Sequence, residues 1–235
     1  MMLHTRLARL IQGLLVLALP VLLVAADLRI VTGHWFVHWE YGKTDFPPDP
    51  FGLSTAERTR LAETCVEYLA TNAHLSLLAN LRLPGGEPAF SERELIHMAD
   101  VQVVYNGMMT AGIVAALGLL GGITTLLATS HARRRAPAAL LSGSTLTLGL
   151  LGTVAVYMVL SWGEFFTTFH RLFFEGDSWI FPYSDTLIRL FPIRFWMDVA
   201  MTVVGLLVVE AIATAAVGWL WRRRMRSTLD STSQL

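Results

Sequence analysis

Residues 169–196 read FHRLFFEGDSWIFPYSDTLIRLFPIRFW and lie between two apolar runs, 138–162 and 198–221. Each run is long enough to cross a bilayer, because about 20 helical residues span the roughly 30 Å of hydrocarbon. The stretch between them contains one His, three Arg, three acidic residues and three Trp or Tyr residues. It is too polar for lipid and too aromatic for an ordinary solvated linker. Side chains of this kind at a membrane surface suggest chemistry on an amphiphile.

The composition of the whole chain points to the same class of protein. Of its 235 residues, 54% are apolar and 15% are charged, and the mean hydropathy is +0.52. These values exclude an ordinary water-soluble protein. Four segments qualify as membrane spans, at 7–30, 105–130, 138–162 and 198–221. The sequence therefore predicts an all-α membrane protein with four transmembrane helices and an extracytoplasmic cap of helix and irregular loop.

The basic residues predict the orientation of these spans, because Lys and Arg in short flanking segments face the cytoplasm. They cluster at three of the flanks: Arg6, Arg9, Arg133, Arg134, Arg135, Arg222, Arg223, Arg224 and Arg226. We therefore expect a multi-pass protein of the cell membrane with both termini, the loop 131–137 and the tail 222–235 in the cytoplasm. By alternation, the cap 31–104 and the loop 163–197 are extracytoplasmic.

The first span has an alternative interpretation as a cleaved signal peptide. Arg6 and Arg9 precede an apolar run that ends in Val24, Ala25 and Ala26, an acceptable small-residue cleavage site. Against this interpretation, the uncharged run 10–26 is longer than the apolar core of about 7–15 residues in signal peptides. Both alternatives stay open at this point.

Two capping boxes predict where the helices of the cap begin. Ser54 with Glu57 opens a helix that extends to about residue 72, and Ser91 with Glu94 opens a second helix. No helix breaker separates the second box from the span 105–130, so both are expected to form one rigid helix. The segment 33–41 alternates in a way that favours a short strand, as part of a strand pair, or an aromatic belt at the headgroup level.

Two histidines lie in outer segments close to a span, His97 and His170. Asp100 follows His97 by three residues on the predicted helix. A carboxylate at that spacing can accept the imidazole N–H and so set the tautomer of the ring. Considered by residue type alone, a given histidine is more often structural than catalytic, so both roles stay open here.

Three segments resemble the integral membrane family that includes the lipoprotein intramolecular transacylases. They are PPDPFGLSTAER at 47–58, SERELIHMADV at 91–101 and FHRLFFEGDSWIFPYSDTLIRLFP at 169–192. The resemblance implies that an acyl chain moves from the glyceryl ester of a diacylglyceryl-modified lipoprotein to the α-amine of its own N-terminal cysteine. It also implies that His97, in the HM-x-D segment, and His170, in the FH-x-LFF segment, are the functional histidines. A Lys commonly follows the Asp-Val pair of the family, whereas this chain has Gln102, so the identity of the substrate stays open.

The expected chemistry is aminolysis of an ester, which needs a base to free the lone pair of the amine. An imidazole, with an ordinary pKa of about 6.5, suits this task, and we assign the role of base to His170. The carbonyl oxygen gains negative charge during attack, so a nearby donor would stabilise the transition state. The candidates are His97, oriented by Asp100, and Arg171. Because donor and acceptor belong to one molecule, no covalent intermediate with the enzyme is required.

Asp177 and Trp179 are the loop residues expected to contact substrate, with interface anchoring as the alternative role of Trp179. The chain contains no G-x-S-x-G, H-E-x-x-H or phosphate-binding glycine motif, and no convincing set of metal ligands. We therefore expect no cofactor and no metal. The expected partners are the lipoprotein substrate and membrane lipid, and no nucleic acid.

Two other functions stay open on the residues alone. One is a membrane lipid-ester hydrolase, or another acyltransferase, that uses the same histidine pair. The other is a non-enzymatic membrane protein that binds lipid or a partner. Within the fourth span, Glu210 is costly to insert as a charged group, so a functional role is its default hypothesis. We expect it to be protonated and to bond to a Ser or Thr of the third span, such as Thr145 or Thr147.

Overall fold

The computed structural model describes the backbone of residues 2–232 and the side chains of residues 5–226. Helices account for all the regular structure of these residues, where the only β-type pairing is an isolated bridge between Arg82 and Pro88. In chain order the helices are α1 (Met2–Val31), α2 (His34–Tyr41), α3 (Thr55–Ala70), α4 (Ser76–Ala79), α5 (Glu92–Ala128), α6 (Arg135–Leu160), α7 (Trp162–Phe173), α8 (Thr186–Leu190) and α9 (Ile193–Thr232).

Four of these helices are long and apolar enough to cross a membrane. The apolar segments are Thr5–Val31, Glu92–Ala128, Arg135–Leu160 and Ile193–Arg226. Leu17, Val114 and Val209 are among their exposed side chains. In water so many exposed apolar groups would promote association, whereas lipid solvates them. The predicted all-α membrane class with four spanning helices is confirmed.

The first of two compact units contains the chain up to Asp27, Thr110–Tyr157 and the chain from Val204 onward. Its helices approach closely at glycines. A Cβ added to Gly112 of α5 would overlap with the Cβ of Ala25 in α1, and one added to Gly143 of α6 would lie 2.9 Å from a methyl group of Leu19. Such small-residue contacts hold membrane helices together, because lipid provides no hydrophobic force between them.

The same unit contains two carboxyl groups within its apolar helices. Asp27 is fully buried, and neither of its side-chain oxygens has a hydrogen-bond partner among the described residues. Glu210 lies in the apolar part of α9, and its Oε2 is likewise buried without a hydrogen-bond partner among the described residues. The hydroxyls of Thr145 and Thr147 bond instead to carbonyl oxygens one turn earlier in α6. The expected bond from Glu210 to these threonines is therefore wrong, because a helical Thr can satisfy its hydroxyl on its own backbone.

The second compact unit contains Leu28–Met109 and Met158–Val203. Its helix α3 begins with the predicted capping box: the Ser54 hydroxyl accepts from the backbone N–H of Glu57, and the Glu57 carboxylate accepts from the backbone N–H of Ser54. The apolar side of α3 packs into a buried core whose members include Leu61, Cys65, Tyr68, Leu78 and Leu190. Cys65 is thus a packing residue of the core.

The segment His34–Tyr41 is the helix α2, so the short strand considered for it is wrong. Phe36, Val37 and Tyr41 are buried, whereas Trp35 and Trp39 are half exposed. Burial at two adjacent positions, 36 and 37, and again one turn later at 40 and 41, is the pattern of a helix with one buried side. Packing of Phe36 on Phe195, and of Val37 and Tyr41 on α3, selects this periodicity over the alternation that the sequence also contains.

The buried side chain of Arg58 joins the proline-rich loop to the second half of the chain. Its guanidinium donates to the carbonyl oxygen of Arg189 at 2.7 and 3.1 Å, and to that of Pro47 at 2.8 Å. Arg189 in turn makes a bidentate ion pair with Asp49 at 2.9 and 3.0 Å. Carbonyl groups outside regular helices and sheets need such donors, because no backbone N–H of a helix or sheet pairs with them. The charged residues of the segment 47–58 therefore hold the loop 163–197.

As predicted, α5 runs without a break from the second capping box into the apolar segment. One oxygen of Glu94 closes this box by accepting from the backbone N–H of Ser91 at 2.7 Å. Its other oxygen accepts from the backbone N–H of Leu187 in α8, also at 2.7 Å. Glu94 thus ties the start of α5 to the loop that follows α7.

Candidate active site

His97 on α5 and His170 on α7 lie beside each other in the second unit. The centroids of the two imidazoles are 6.4 Å apart, and their planes differ by 22°. Both residues are half-buried. The structure therefore brings together the two histidines that the sequence singled out.

The tautomer of His170 is set by the backbone. Its Nδ1 lies 2.7 Å from the carbonyl oxygen of Phe166, one turn earlier in α7. A carbonyl oxygen only accepts, so Nδ1 carries the proton, and the lone pair of the neutral ring is on Nε2. Burial lowers the pKa of His170, against an opposing effect of the bond to Phe166. The ring is therefore neutral at pH 7, with Nε2 able to accept a proton.

His97 is held by aromatic rings rather than by polar groups. Its ring centroid lies 4.9 Å from that of Phe174 and 5.3 Å from that of Phe181. Its Nδ1 is buried and has no hydrogen-bond partner among the described residues. An unpaired buried nitrogen costs stability, and such groups in native structures often have a functional reason.

Aromatic side chains surround the pair. The Trp179 ring lies 4.9 Å from that of His170, and its indole N–H donates to the carbonyl oxygen of Gly176 at 3.2 Å. Gly176 has a φ of +62°, a left-handed conformation that favours glycine. Phe174 contacts both imidazoles, lying 5.6 Å from His170. This apolar surrounding limits the access of water to the two rings.

Asp100 does not orient His97 as predicted. No described group bonds to Nδ1 of His97, and Asp100 lines a cleft of about 270 Å³ together with Val103, Val104, Phe173, Phe174 and Glu175. Side chains three positions apart on a helix can meet, so packing and not spacing separates these two. The ring of His97 points into the aromatic cluster instead.

Arg171 and Asp177 are exposed, and no described contact joins either side chain to the imidazoles. Arg171 follows His170 directly, so it points about 100° away around the axis of α7. The backbone carbonyl of Asp177 accepts from the N–H of Ile180 in the turn after α7. Of the four additional candidates, the structure therefore brings only Trp179 against the histidine pair.

A family model described as lipoprotein intramolecular transacylase Lit matches residues 11–196. The chain belongs to this family. A relative from Aquifex aeolicus (strain VF5), described only as an uncharacterized protein, is 30% identical over 190 residues, which are 81% of this chain and 84% of the relative.

Solved structures of the Lit transacylase from Bacillus cereus have the same fold. An in meso structure of this membrane-integral protein superposes with a TM-score of 0.77 at 19% identity, and covers 95% of this chain and 99% of the other. A variant in which one histidine is replaced by arginine also gives 0.77, at 21% identity and 96% coverage of both chains. This Lit family member is therefore a multi-pass membrane acyltransferase, a lipoprotein transacylase.

Gln102, where this Lit family member departs from the expected Lys, is a structural residue. Its amide N–H groups donate to the carbonyl oxygens of Tyr68 and Ala73, each at 3.0 Å. The Tyr68 carbonyl also accepts from the backbone N–H of Ala73 at 3.2 Å, so Gln102 adds a second bond there and fixes the chain just beyond the end of α3. The substitution is thus accounted for within the cap.

The aromatic side chains of the site are not among the residues predicted from the sequence. Phe166 packs against His170 with ring centroids 4.1 Å apart and ring planes tilted by 38°, and Phe174 lies four residues further along the chain. The signal was the four-residue spacing of Phe166, His170 and Phe174, which places all three on one side of a helix. No sequence pattern indicates Phe181, because it lies in an irregular segment and contacts His97 only through the tertiary fold. Among the described residues, no group of three or more His, Cys, Asp or Glu could hold a metal ion.

Proposed function

We propose that this protein moves an acyl chain from the glyceryl ester of a diacylglyceryl-modified lipoprotein to the α-amine of the same lipoprotein's N-terminal cysteine. His97 and His170 act together as its catalytic residues. The observation that carries the proposal is the placement of two half-buried imidazoles 6.4 Å apart inside an aromatic surrounding. Family membership supplies the class of reaction, and this geometry supplies the groups.

His170 acts as the general base. Its Nδ1 proton is held by the carbonyl oxygen of Phe166, so Nε2 is the atom that accepts a proton from the substrate ammonium. The freed nitrogen attacks the ester carbonyl carbon. When the tetrahedral intermediate collapses, the C–O bond to glycerol breaks and the glyceryl oxygen takes a proton, leaving an amide, an alcohol and one proton released from the ammonium. Trp179 keeps the His170 ring in place and is a positioning residue.

His97 stabilises the negative charge that develops on the carbonyl oxygen. Nδ1 of His97 is buried, so Nε2 is the ring nitrogen that can donate to this oxygen, and a donor in a water-poor site is worth more than one in water. Removal of one such donor typically lowers the rate by about 100- to 1,000-fold. Arg171 and Asp177 lie at the solvent edge of the site, where we assign them to contacts with the polar part of the substrate.

The reaction needs no enzyme-bound acyl group, because ester and amine arrive in one molecule. Orientation of two groups in near-attack geometry contributes about 7–11 kcal/mol to lowering the barrier. The aromatic surrounding favours aminolysis over hydrolysis, since Phe174, Phe181 and Trp179 cover the rings against water. This distinction separates the proposal from a lipid-ester hydrolase.

We place the active site on the extracytoplasmic side of the cell membrane and both termini in the cytoplasm. The proposal is supported by the arginines, which cluster next to the first span, between α5 and α6, and after the apolar part of α9. Accessibility of cysteines introduced into a Cys65→Ser background tests this orientation. A cysteine at position 87 in the cap should react with a membrane-impermeant thiol reagent from outside the cell. A cysteine at position 133, between α5 and α6, should react only from the cytoplasmic side.

The decisive experiment is mass spectrometry of lipoprotein N-termini from cells that produce the wild type, His97→Ala, His170→Ala or His74→Ala. His74 is exposed and bonds to Ser76 in the cap, so it is a matched histidine control. We expect the N-acylated form with wild type and His74→Ala, and its loss with the other two variants. An unchanged lipid pattern in His97→Ala or His170→Ala protein of wild-type abundance and melting temperature would refute the proposal.

A further inference from the structure

A cleft of about 270 Å³ opens beside the histidine pair. Its lining combines residues of α5 with the end of α7 and the residues that follow: Asp100, Val103, Val104, Phe173, Phe174 and Glu175. Phe174 is shared between the cleft and the site, because its ring contacts both imidazoles at 4.9 and 5.6 Å. The cleft therefore adjoins the histidine pair, with the Phe174 side chain between them.

The lining of this cleft is chemically divided. Val103 is 72% exposed and Phe173 is 40% exposed, so an aliphatic and an aromatic side chain offer uncovered apolar surface. Asp100 and Glu175 add two carboxylates to the same lining. An anionic lipid or a free fatty acid would be repelled by these two charges. A molecule with both an acyl chain and a positive charge complements the cleft.

We propose that this cleft binds the reacting end of the lipoprotein substrate. Val103, Val104 and Phe173 contact the first methylene groups of the migrating acyl chain, and Asp100 with Glu175 holds the α-ammonium until its proton passes to His170. This inference rests on the proposed function and extends it to the residues that select the substrate. A volume near the lower end of ligand pockets, which are about 300–1,000 Å³, holds only this reacting end and leaves the rest of the chain to the bilayer.

The apolar half is tested by Val103→Trp, with Val114→Trp as the matched control. Val114 is also exposed on α5, about 16 Å further along the helix, so the control adds the same bulk outside the cleft. The measurement compares kcat/KM for purified protein in liposomes with dipalmitoyl and diacetyl versions of one diacylglyceryl-cysteinyl peptide, because an acetyl group lacks the methylene groups that the cleft would contact. We expect Val103→Trp to lower the preference for palmitoyl on the order of tenfold, the effect of about two buried methylene groups. We expect Val114→Trp to leave the preference unchanged.

The polar half is tested by the double variant Asp100→Asn with Glu175→Gln. Its control is Glu164→Gln, which removes the charge of an exposed carboxylate in the first turn of α7, outside the cleft. Loss of two partly exposed ion pairs should raise KM for the palmitoyl peptide by about 3- to 10-fold with kcat changed less than KM. A purely structural role would instead lower the melting temperature and leave KM unaltered.

The inference requires both results. An unchanged palmitoyl preference in Val103→Trp, or an unchanged KM in the double variant, overturns it even when wild type makes the N-acylated peptide. A different outcome is wild-type protein that is folded, as shown by cooperative melting, and yet makes no N-acylated peptide. That outcome refutes the proposed function itself.

Discussion

Replacing Glu94 by Gln tests how the start of α5 is fixed. Glu94 is 2% exposed, and its carboxylate accepts three hydrogen bonds, from the N–H and hydroxyl of Ser91 at 2.7 and 2.9 Å and from the N–H of Leu187 at 2.7 Å. A Gln offers one oxygen in place of two. Its amide group must therefore face one of the two backbone N–H donors, and that donor loses its partner.

The expected cost follows from these contacts. A buried donor left unpaired costs about 1–3 kcal/mol, and the remaining bonds lose charge assistance worth about 1 kcal/mol more. The sum is about 2–4 kcal/mol, which for a chain of this length lowers the melting temperature by about 5–15 °C. Because Glu94 also holds α8, we expect hydrogen exchange at the amide of Leu187 to accelerate.

The assay is thermal unfolding of purified protein in detergent, with Glu92→Gln as the control. Glu92 lies two residues away on the exposed side of the same first turn, so its neutralisation affects the charge at the helix N-terminus without removing a buried partner. We expect the control to cost at most about 1 kcal/mol. A Glu94→Gln variant that melts within the range of the control would show that the buried hydrogen bonds of this carboxylate to the N–H groups of Ser91 and Leu187 contribute nothing measurable.

Three further predictions concern the site and its framework. Burial lowers the pKa of His170, so the acid limb of the pH profile of kcat/KM, which reports the free enzyme, should have its midpoint below 6.5, and a midpoint above that value contradicts the role of this ring as base. Gln102→Lys should melt like wild type because an ammonium can also donate to the carbonyls after α3, whereas Gln102→Ala should cost about 1–3 kcal/mol in thermal unfolding. Gly112→Ala should lower the melting temperature through overlap with Ala25, while Gly118→Ala, which meets open space, should be neutral or stabilise by about 0.5–1 kcal/mol; equal effects of the two would refute the packing argument.

In the cap, the sequence patterns predict the contacts between near neighbours correctly and fail where distant parts of the chain meet. Both capping boxes are local, since each joins residues three positions apart, and both are present as predicted. The segment 34–41 contains helical and alternating patterns at once, and contacts with Phe195 and α3 decide between them. For the same reason Asp100 appeared to face His97: the spacing permits that bond, but the aromatic rings around His97 give its side chain another position.

The amino-acid sequence by itself determined the membrane class, the four apolar helices, the starts of α3 and α5 and the choice of His97 and His170 as candidates. The helices depend on hydropathy and on hydrogen bonds between near neighbours, which act within about one or two helical turns. The choice of the two histidines depends on their position beside the spans and on the family resemblance. Only the tertiary structure decided that the two imidazoles meet, that the Phe166 carbonyl sets the tautomer of His170 and that a cleft with two carboxylates adjoins them. Those features depend on the relative positions of α5, α7 and the loop after it, which are fixed by packing and by bonds such as that between Glu94 and Leu187 across ninety positions of the chain.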